Sequence, residues 1–159
     1  MTGESDVPLI ARRRIEAELI KYIYAELKEE LGAGRAKVIL GRAIRKAAKD
    51  AGAALAAKEP EKPGTRALAS LQGLWSAGGA LKTKVLELTD DAYAYEVERC
   101  GYAAMYAELG MGELGSVVSC LRDASFIEGY APDLVLDRPE TIMDGDGRCL
   151  FRYRKADRT

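Results

Sequence analysis

The sequence predicts an α+β fold: an antiparallel sheet built from two β-hairpins, with helices packed on one face and an N-terminal helix pair ahead of it. Three observations predict it. The first sixty or so residues carry apolar positions at helical spacing among charges, ended by glycines. Two later stretches alternate apolar and polar residues on either side of Asp-rich turns. Helical pattern returns between those two hairpins, an order that suits a sheet covered on one side. The chain of 159 residues is long enough for one core. It reads as a single domain, 1–159, with a helical part at about 9–78 and a hairpin–helices–hairpin part at about 80–155.

From Leu9 to Leu31, the residues Ile15, Leu19, Ile23, Leu27 and Leu31 recur at i+4 and predict an amphipathic helix that Gly32-Ala33-Gly34 ends. Arg35 to Lys58 sets Val38, Leu40, Ile44, Ala48, Ala51 and Leu55 among basic residues as a second helix, antiparallel to the first. Gly41 and Gly52 are its possible close-packing points. The stretch 58–64 is a polar loop with two prolines. Thr65 reads as the N-cap of a short helix from Arg66 to Ala77, stopped by Gly78-Gly79. Leu81 to Leu88 and Ala92 to Glu98 form the first hairpin. Helical pattern then runs from Tyr102 to Leu109, breaks at Gly110-Met111-Gly112, and resumes from Glu113 to Glu128. Leu134 to Met143 and Cys149 to Arg154 form the second hairpin, through Asp144-Gly145-Asp146-Gly147.

Composition removes several functions. Histidine is absent, which excludes Ser-His-Asp and Cys-His mechanisms and every imidazole-dependent metal site. With 24 basic and 25 acidic residues, the net charge of −1 gives no field to draw in nucleic acid or an anionic membrane. No apolar run is long enough to span a bilayer, and Met1 to Pro8 lacks the pattern of a secretory signal. Three cysteines in such a chain read as reduced thiols, and the cytoplasm as the default location.

All three thiols fall between Cys100 and Tyr153. Cys120 and Asp123, in "SVVSCLRDASF", are three apart and share a helix face. If the last strand packs against that helix, Cys149 converges with them. One reading makes a thiol the nucleophile and Asp123 its base or orienting carboxylate, which requires a cation such as Arg99, Arg122, Arg148 or Arg152 to favour thiolate. Another has the thiols and Asp123 bind zinc, although their spacing matches no compact zinc motif. A third treats the cysteines as small core residues and Asp123 as a solvent-facing carboxylate. Asp144 and Asp146 are most simply turn residues bonding their own backbone.

The stretch from Arg99 to Arg154 resembles the L-2-amino-thiazoline-4-carboxylic acid hydrolase family of bacterial proteins. The shared motifs are Cys100-x-Tyr102, Leu109-Gly110, Cys120-x-x-Asp123, Gly129-x-x-Pro132, Arg138-x-x-Thr141-Ile142-Met143 and Gly145-x-x-x-Cys149-x-Phe151-x-Tyr153. The resemblance implies hydrolysis of a cyclic carbon–nitrogen bond in a small thiazoline amino acid, giving a carbamoyl-cysteine-type product without a cofactor. It makes Cys120, Asp123 and Cys149 the catalytic candidates. Cys100, Tyr102, Arg122, Thr141 and Arg152 become candidates for binding substrate, with Arg122 or Arg152 taking its carboxylate. The expected partners are a small-molecule substrate and, for assembly, a second copy of the chain. The terminal hairpin also resembles the wider 4-vinyl-reductase-like binding domains, some of which hold zinc through cysteines, so a non-catalytic sensor or carrier is the alternative.

Overall fold

A computed structural model describes residues 7–157; most of the segment tested for a secretory signal, 1–6, lies outside the described residues. The helix pair forms as expected, with α1 over Leu9–Leu31 and α2 over Ala33–Ala56. Between them Gly32 sits at φ 80°, a conformation that glycine adopts without strain.

The buried face of α1 differs from the one its spacing suggested. Ile15, Leu19 and Ile23 are 66%, 64% and 45% exposed, whereas Ala17 and Tyr24 are buried. The reason is geometric. Residues four apart advance by about 40° around a helix, so an i+4 series winds off any single face. Only its later member, Leu27, reaches the core, beside Ile10 and Ile20.

Helix α2 packs along α6, Leu121–Tyr130. The two backbones meet at a reciprocal pair of glycines. A Cβ on Gly52 would lie 2.3 Å from the Phe126 carbonyl oxygen, and one on Gly129 would lie 2.0 Å from that of Lys49. Gly41, the other suggested packing point, would place its Cβ at an ordinary 3.5 Å from Leu121.

The expected helix from Arg66 to Ala77 is two short pieces, α3 (Thr65–Ser70) and α4 (Gln72–Ser76), broken at Leu71. Thr65 is buried inside the first turn and caps nothing; its hydroxyl instead donates to the Thr89 carbonyl at 2.6 Å, tying α3 to the first hairpin.

Strands β1 (Leu81–Leu88), β2 (Ala92–Cys100), β3 (Leu134–Asp137) and β4 (Cys149–Lys155) form one antiparallel sheet in the order β1-β2-β4-β3. The central β2–β4 ladder sets Tyr93 opposite Tyr153, Tyr95 opposite Phe151 and Val97 opposite Cys149, all buried on one face. Helices cover that face. The other carries charge, including the Arg148 pairs with Glu96 and Glu140.

The second hairpin is wider than expected. Its first strand ends at Asp137, because Pro139 has no N–H to give to a ladder. Residues 138–148 then make a folded connection. Thr141 caps a 3₁₀ turn there over Ile142–Asp144, and the Thr141 N–H donates to the Asp146 carboxylate at 2.8 Å. The two aspartates of the Asp-Gly-Asp-Gly run are therefore framework, as their turn chemistry suggested.

Between the hairpins, α5 (Gly101–Glu108) is followed by a 3₁₀ turn at Gly112–Leu114. A single π-helical turn, Ser116–Cys120, comes next and feeds α6. The helix expected from Glu113 is thus shorter and starts with a wide turn, a feature common at functional sites. Among the described residues, no helix is long and apolar enough to cross a membrane.

Candidate active site

A cavity of about 930 Å³ lies between the sheet and the helices. Its size is near the upper end of ligand pockets, which run from ~300 to ~1,000 Å³. The sheet supplies Tyr95, Val97, Cys149, Phe151 and Tyr153, the π-helical turn supplies Cys120, and α6 supplies Arg122, Asp123 and Phe126. Alanines and Leu55 of α2, with Leu68 and Trp75, form an apolar end, while Arg13 and Glu16 of α1 stand at a charged one.

Asp123 is brought here because α6 presents its first turn to the sheet. Its carboxylate accepts from Arg138 Nη1, and Arg138 Nη2 donates to the Cys120 carbonyl at 3.1 Å. The Arg138 guanidinium also lies 5.3 Å from the centre of the Phe151 ring, a cation–π distance. Its Nε is buried without a partner. Asp123 keeps 32% of its side-chain area accessible, and as a cavity residue it turns that area inward. Burial outweighs the neighbouring Arg138 and raises the Asp123 pKa to about 6.

The thiols behave differently. Burial, reinforced by the Asp123 charge, pushes Cys120 up to about 12, against which Arg138 is too weak. Burial also raises Cys100 and Cys149. Both of those sulfurs accept backbone N–H groups. Cys100 Sγ caps α5 through Ala103 at 3.4 Å, and Cys149 Sγ takes the Ile142 N–H at 3.2 Å. At neutral pH all three are thiols. Thiolate chemistry therefore needs a proton acceptor; of the two carboxylates that line the cavity, Glu16 is paired with Arg13 and Arg122, and Asp123 is the one three residues from Cys120.

Of the residues singled out from sequence, Cys100, Tyr102, Cys120, Arg122, Asp123 and Cys149 all line the cavity. Tyr102 is held by donating to the Trp75 carbonyl at 3.0 Å. Arg122 donates to the Val118 carbonyl at 2.7 Å and to Glu16 at 3.1 Å. Two of the substrate-binding candidates lie elsewhere, as do the cations Arg99 and Arg148. Thr141 is spent on the connection before β4, where its hydroxyl donates to Asp144 at 2.6 Å. Arg152 pairs with Asp137 at 3.6 Å, because odd-numbered residues of β4 face the cavity and even-numbered Arg152 falls on the opposite face. Among the described residues, no three cysteine or carboxylate side chains gather closely enough to hold a metal ion.

Sequence reasoning gave Arg138 and Tyr153 no role beyond motif positions, and read Tyr95 as a core edge that could line an apolar pocket. Arg138 stands in the Arg-x-x-Thr motif, and that motif was the available signal. The two tyrosines alternate with outward-facing residues on their strands. Burial and the nearby Asp123 charge hold both phenols well above their ordinary pKa, so they remain donors.

No curated protein sequence matches the chain. Among solved structures, the phenol-responsive sensory domain of the transcription activator PoxR, determined with phenol, is similar in fold. It has a TM-score of 0.55 at 12% identity, with 86% of this chain and 73% of that chain covered. The family model of L-2-amino-thiazoline-4-carboxylic acid hydrolase matches residues 12–153, from the first turns of α1 to the end of the aromatic run on β4. With nearly the whole fold inside that match, the chain belongs to the L-2-amino-thiazoline-4-carboxylic acid hydrolase family.

Proposed function

We propose that the chain is a hydrolase that opens a cyclic carbon–nitrogen bond in a small heterocyclic amidine carboxylate, with Asp123 as its acid/base. One observation carries this reading: a cavity-facing carboxylate whose pKa, about 6, suits proton transfer near neutral pH. The electrophile of such a substrate is the carbon between ring nitrogen and sulfur. Asp123 takes a proton from water as the water oxygen bonds to that carbon. The C=N electron pair passes to the ring nitrogen, which takes that proton from the Asp123 carboxylic acid; Asp123 then carries the proton of the new hydroxyl to the same nitrogen as the carbonyl forms and the carbon–nitrogen bond breaks. The carbon stays on sulfur as a carbamoyl group, and one water has been added. Arg138 holds the carboxylate in place, while Arg122 and Arg13 on the wall offer charge for the substrate carboxylate.

This scheme leaves Cys120 and Cys149 as walls. The alternative route, in which Asp123 deprotonates Cys120 for direct attack, makes the thiol indispensable. Cys120→Ala separates them: retention of turnover within about tenfold supports activated water, and loss as complete as that of an Asp123 variant assigns the attack to the thiol.

The pH profile supplies a second test. The base must be ionised, so kcat/KM rises with pH through the Asp123 pKa. Arg138 lowers that pKa, so Arg138→Gln moves the acidic limb to higher pH. An unchanged limb removes Asp123 from the role.

A sensing or carrier function is the second reading. It is favoured by the fold shared with a domain that responds to phenol, together with the aromatic walls of this cavity, where Trp75 meets Phe126 edge-on at 5.5 Å. Tight binding of an aromatic or heterocyclic molecule with no turnover, followed through Trp75 fluorescence, decides for it.

A further inference from the structure

The cavity is larger than the ring for which the family is named. A thiazoline ring with one amino and one carboxylate group, packed no more densely than liquid water at about 30 Å³ per heavy atom, fills under about 300 Å³. The cavity measures about 930 Å³. A bare ring would be loosely held in it, and a loosely held ring forfeits the positioning on which proton transfer depends.

The two ends of the cavity differ in chemistry, and α6 orders them around Asp123. The side chain of Arg122 turns back along the helix, with its Nε donating to the Val118 carbonyl and its Nη2 reaching Glu16 of α1. Arg13 Nη1 donates to the same carboxylate at 2.7 Å. Two guanidiniums share one carboxylate, so this end keeps positive charge for a substrate carboxylate. In the other direction Phe126 stands one turn beyond Asp123, about 4.5 Å further along the axis. There it meets Trp75 edge-on at 5.5 Å, within the apolar cluster that includes Leu55 and Leu68. On α2, Ala48 and Ala51 precede Leu55 by two turns and one turn and give the wall only methyl groups, which leaves it room.

The ring has matching ends. Its carboxylate is on one side, and the amidine carbon with its exocyclic nitrogen is on the other. With the carboxylate towards Arg122 and Arg13 and the amidine carbon at Asp123, the exocyclic nitrogen is directed at Phe126 and Trp75. Resting on the hydrolysis proposed above, we infer that the substrates of this chain are cyclic amidine carboxylates whose exocyclic nitrogen carries an apolar group the size of an aromatic ring, seated among Trp75, Phe126, Leu55 and Leu68. The aromatic walls suit an aryl ring in particular. The chemistry is unchanged by the substituent: water adds at the same carbon, the ring carbon–nitrogen bond breaks, and the carbamoyl nitrogen of the product carries the group.

The test compares kcat/KM of the full chain for 2-amino-thiazoline-4-carboxylate with that for its N-benzyl and N-(2-methoxyethyl) derivatives, read as ring-opened product by mass spectrometry. The N-benzyl compound is expected to be favoured over the bare ring about 10–100-fold, the factor that burying one aromatic side chain is worth. The polar chain is expected to gain less than about threefold. Ala51 lies outside the buried core, so Ala51→Leu fills the apolar end without overpacking that core, and it is expected to lower the benzyl-to-bare ratio at least about fivefold. A ratio of two substrates on one protein sample is insensitive to how much of that sample is folded. A bare ring opened within tenfold of the N-benzyl compound overturns the inference and leaves the proposed hydrolysis standing. So does a polar chain favoured as strongly as benzyl, or a ratio indifferent to Ala51→Leu. Hydrolysis of none of the three overturns the hydrolysis itself, and the inference with it.

Discussion

Asp123→Asn should reduce turnover of a cyclic amidine carboxylate by about 10²–10⁴-fold, the contribution a positioned acid/base makes. The substitution keeps shape and leaves an oxygen to accept from Arg138, so the loss is chemical rather than structural. An amide cannot take the proton that water must lose, nor give one to the departing ring nitrogen. Substrate binding should change little, because Arg122 and the apolar walls are untouched. The expected pattern is a collapse in kcat with KM within a few-fold of wild type. The thermal midpoint and near-ultraviolet spectrum check that the fold survives.

Gly129→Ala should cost about 2–3 kcal/mol of stability and lower the melting temperature by about 5–10 °C. Gly52→Ala should behave alike. The added methyl at position 129 has no space: its Cβ would sit 2.0 Å from the Lys49 carbonyl oxygen and 2.9 Å from the Ala53 nitrogen, all backbone. Backbone cannot rotate away as a side chain can, so α2 and α6 must separate. The wall that carries Cys120 and Asp123 then moves with α6, and activity should fall together with stability. Gly41→Ala is the control. Its nearest neighbour would be a flexible leucine at 3.5 Å, and alanine is the better helix former, so the change should be neutral or stabilising by up to about 1 kcal/mol.

Much of the fold was legible because local chemistry and topology agree. The α1 boundaries follow from Gly32, and both hairpins from alternation beside polar turns. The convergence of Cys120, Asp123 and Cys149 was legible too, from a shared helix face and a strand that packs against it. What was not legible depends on tertiary placement. Which side of α1 is buried is decided by the partner helices, and an i+4 series cannot reveal it. Thr65 looked like a cap, but its hydroxyl finds a better acceptor on the hairpin. Arg152 was an attractive carboxylate partner by sequence proximity, yet strand parity sends it to the far face. Arg138 lies outside every regular element, so only the folded connection brings it back to Asp123.

The central claim of the proposed function is that Asp123 drives addition of water to a cyclic amidine. Its most direct test is mass spectrometry of purified wild-type protein and Asp123→Asn, each incubated with 2-amino-thiazoline-4-carboxylate in a pool of related cyclic amidines and lactams. The account predicts a product heavier by one water from at least one member of the pool with the wild type, and none with the variant. Equal product from both proteins, or a pool bound tightly and left unchanged by the wild type, would contradict it.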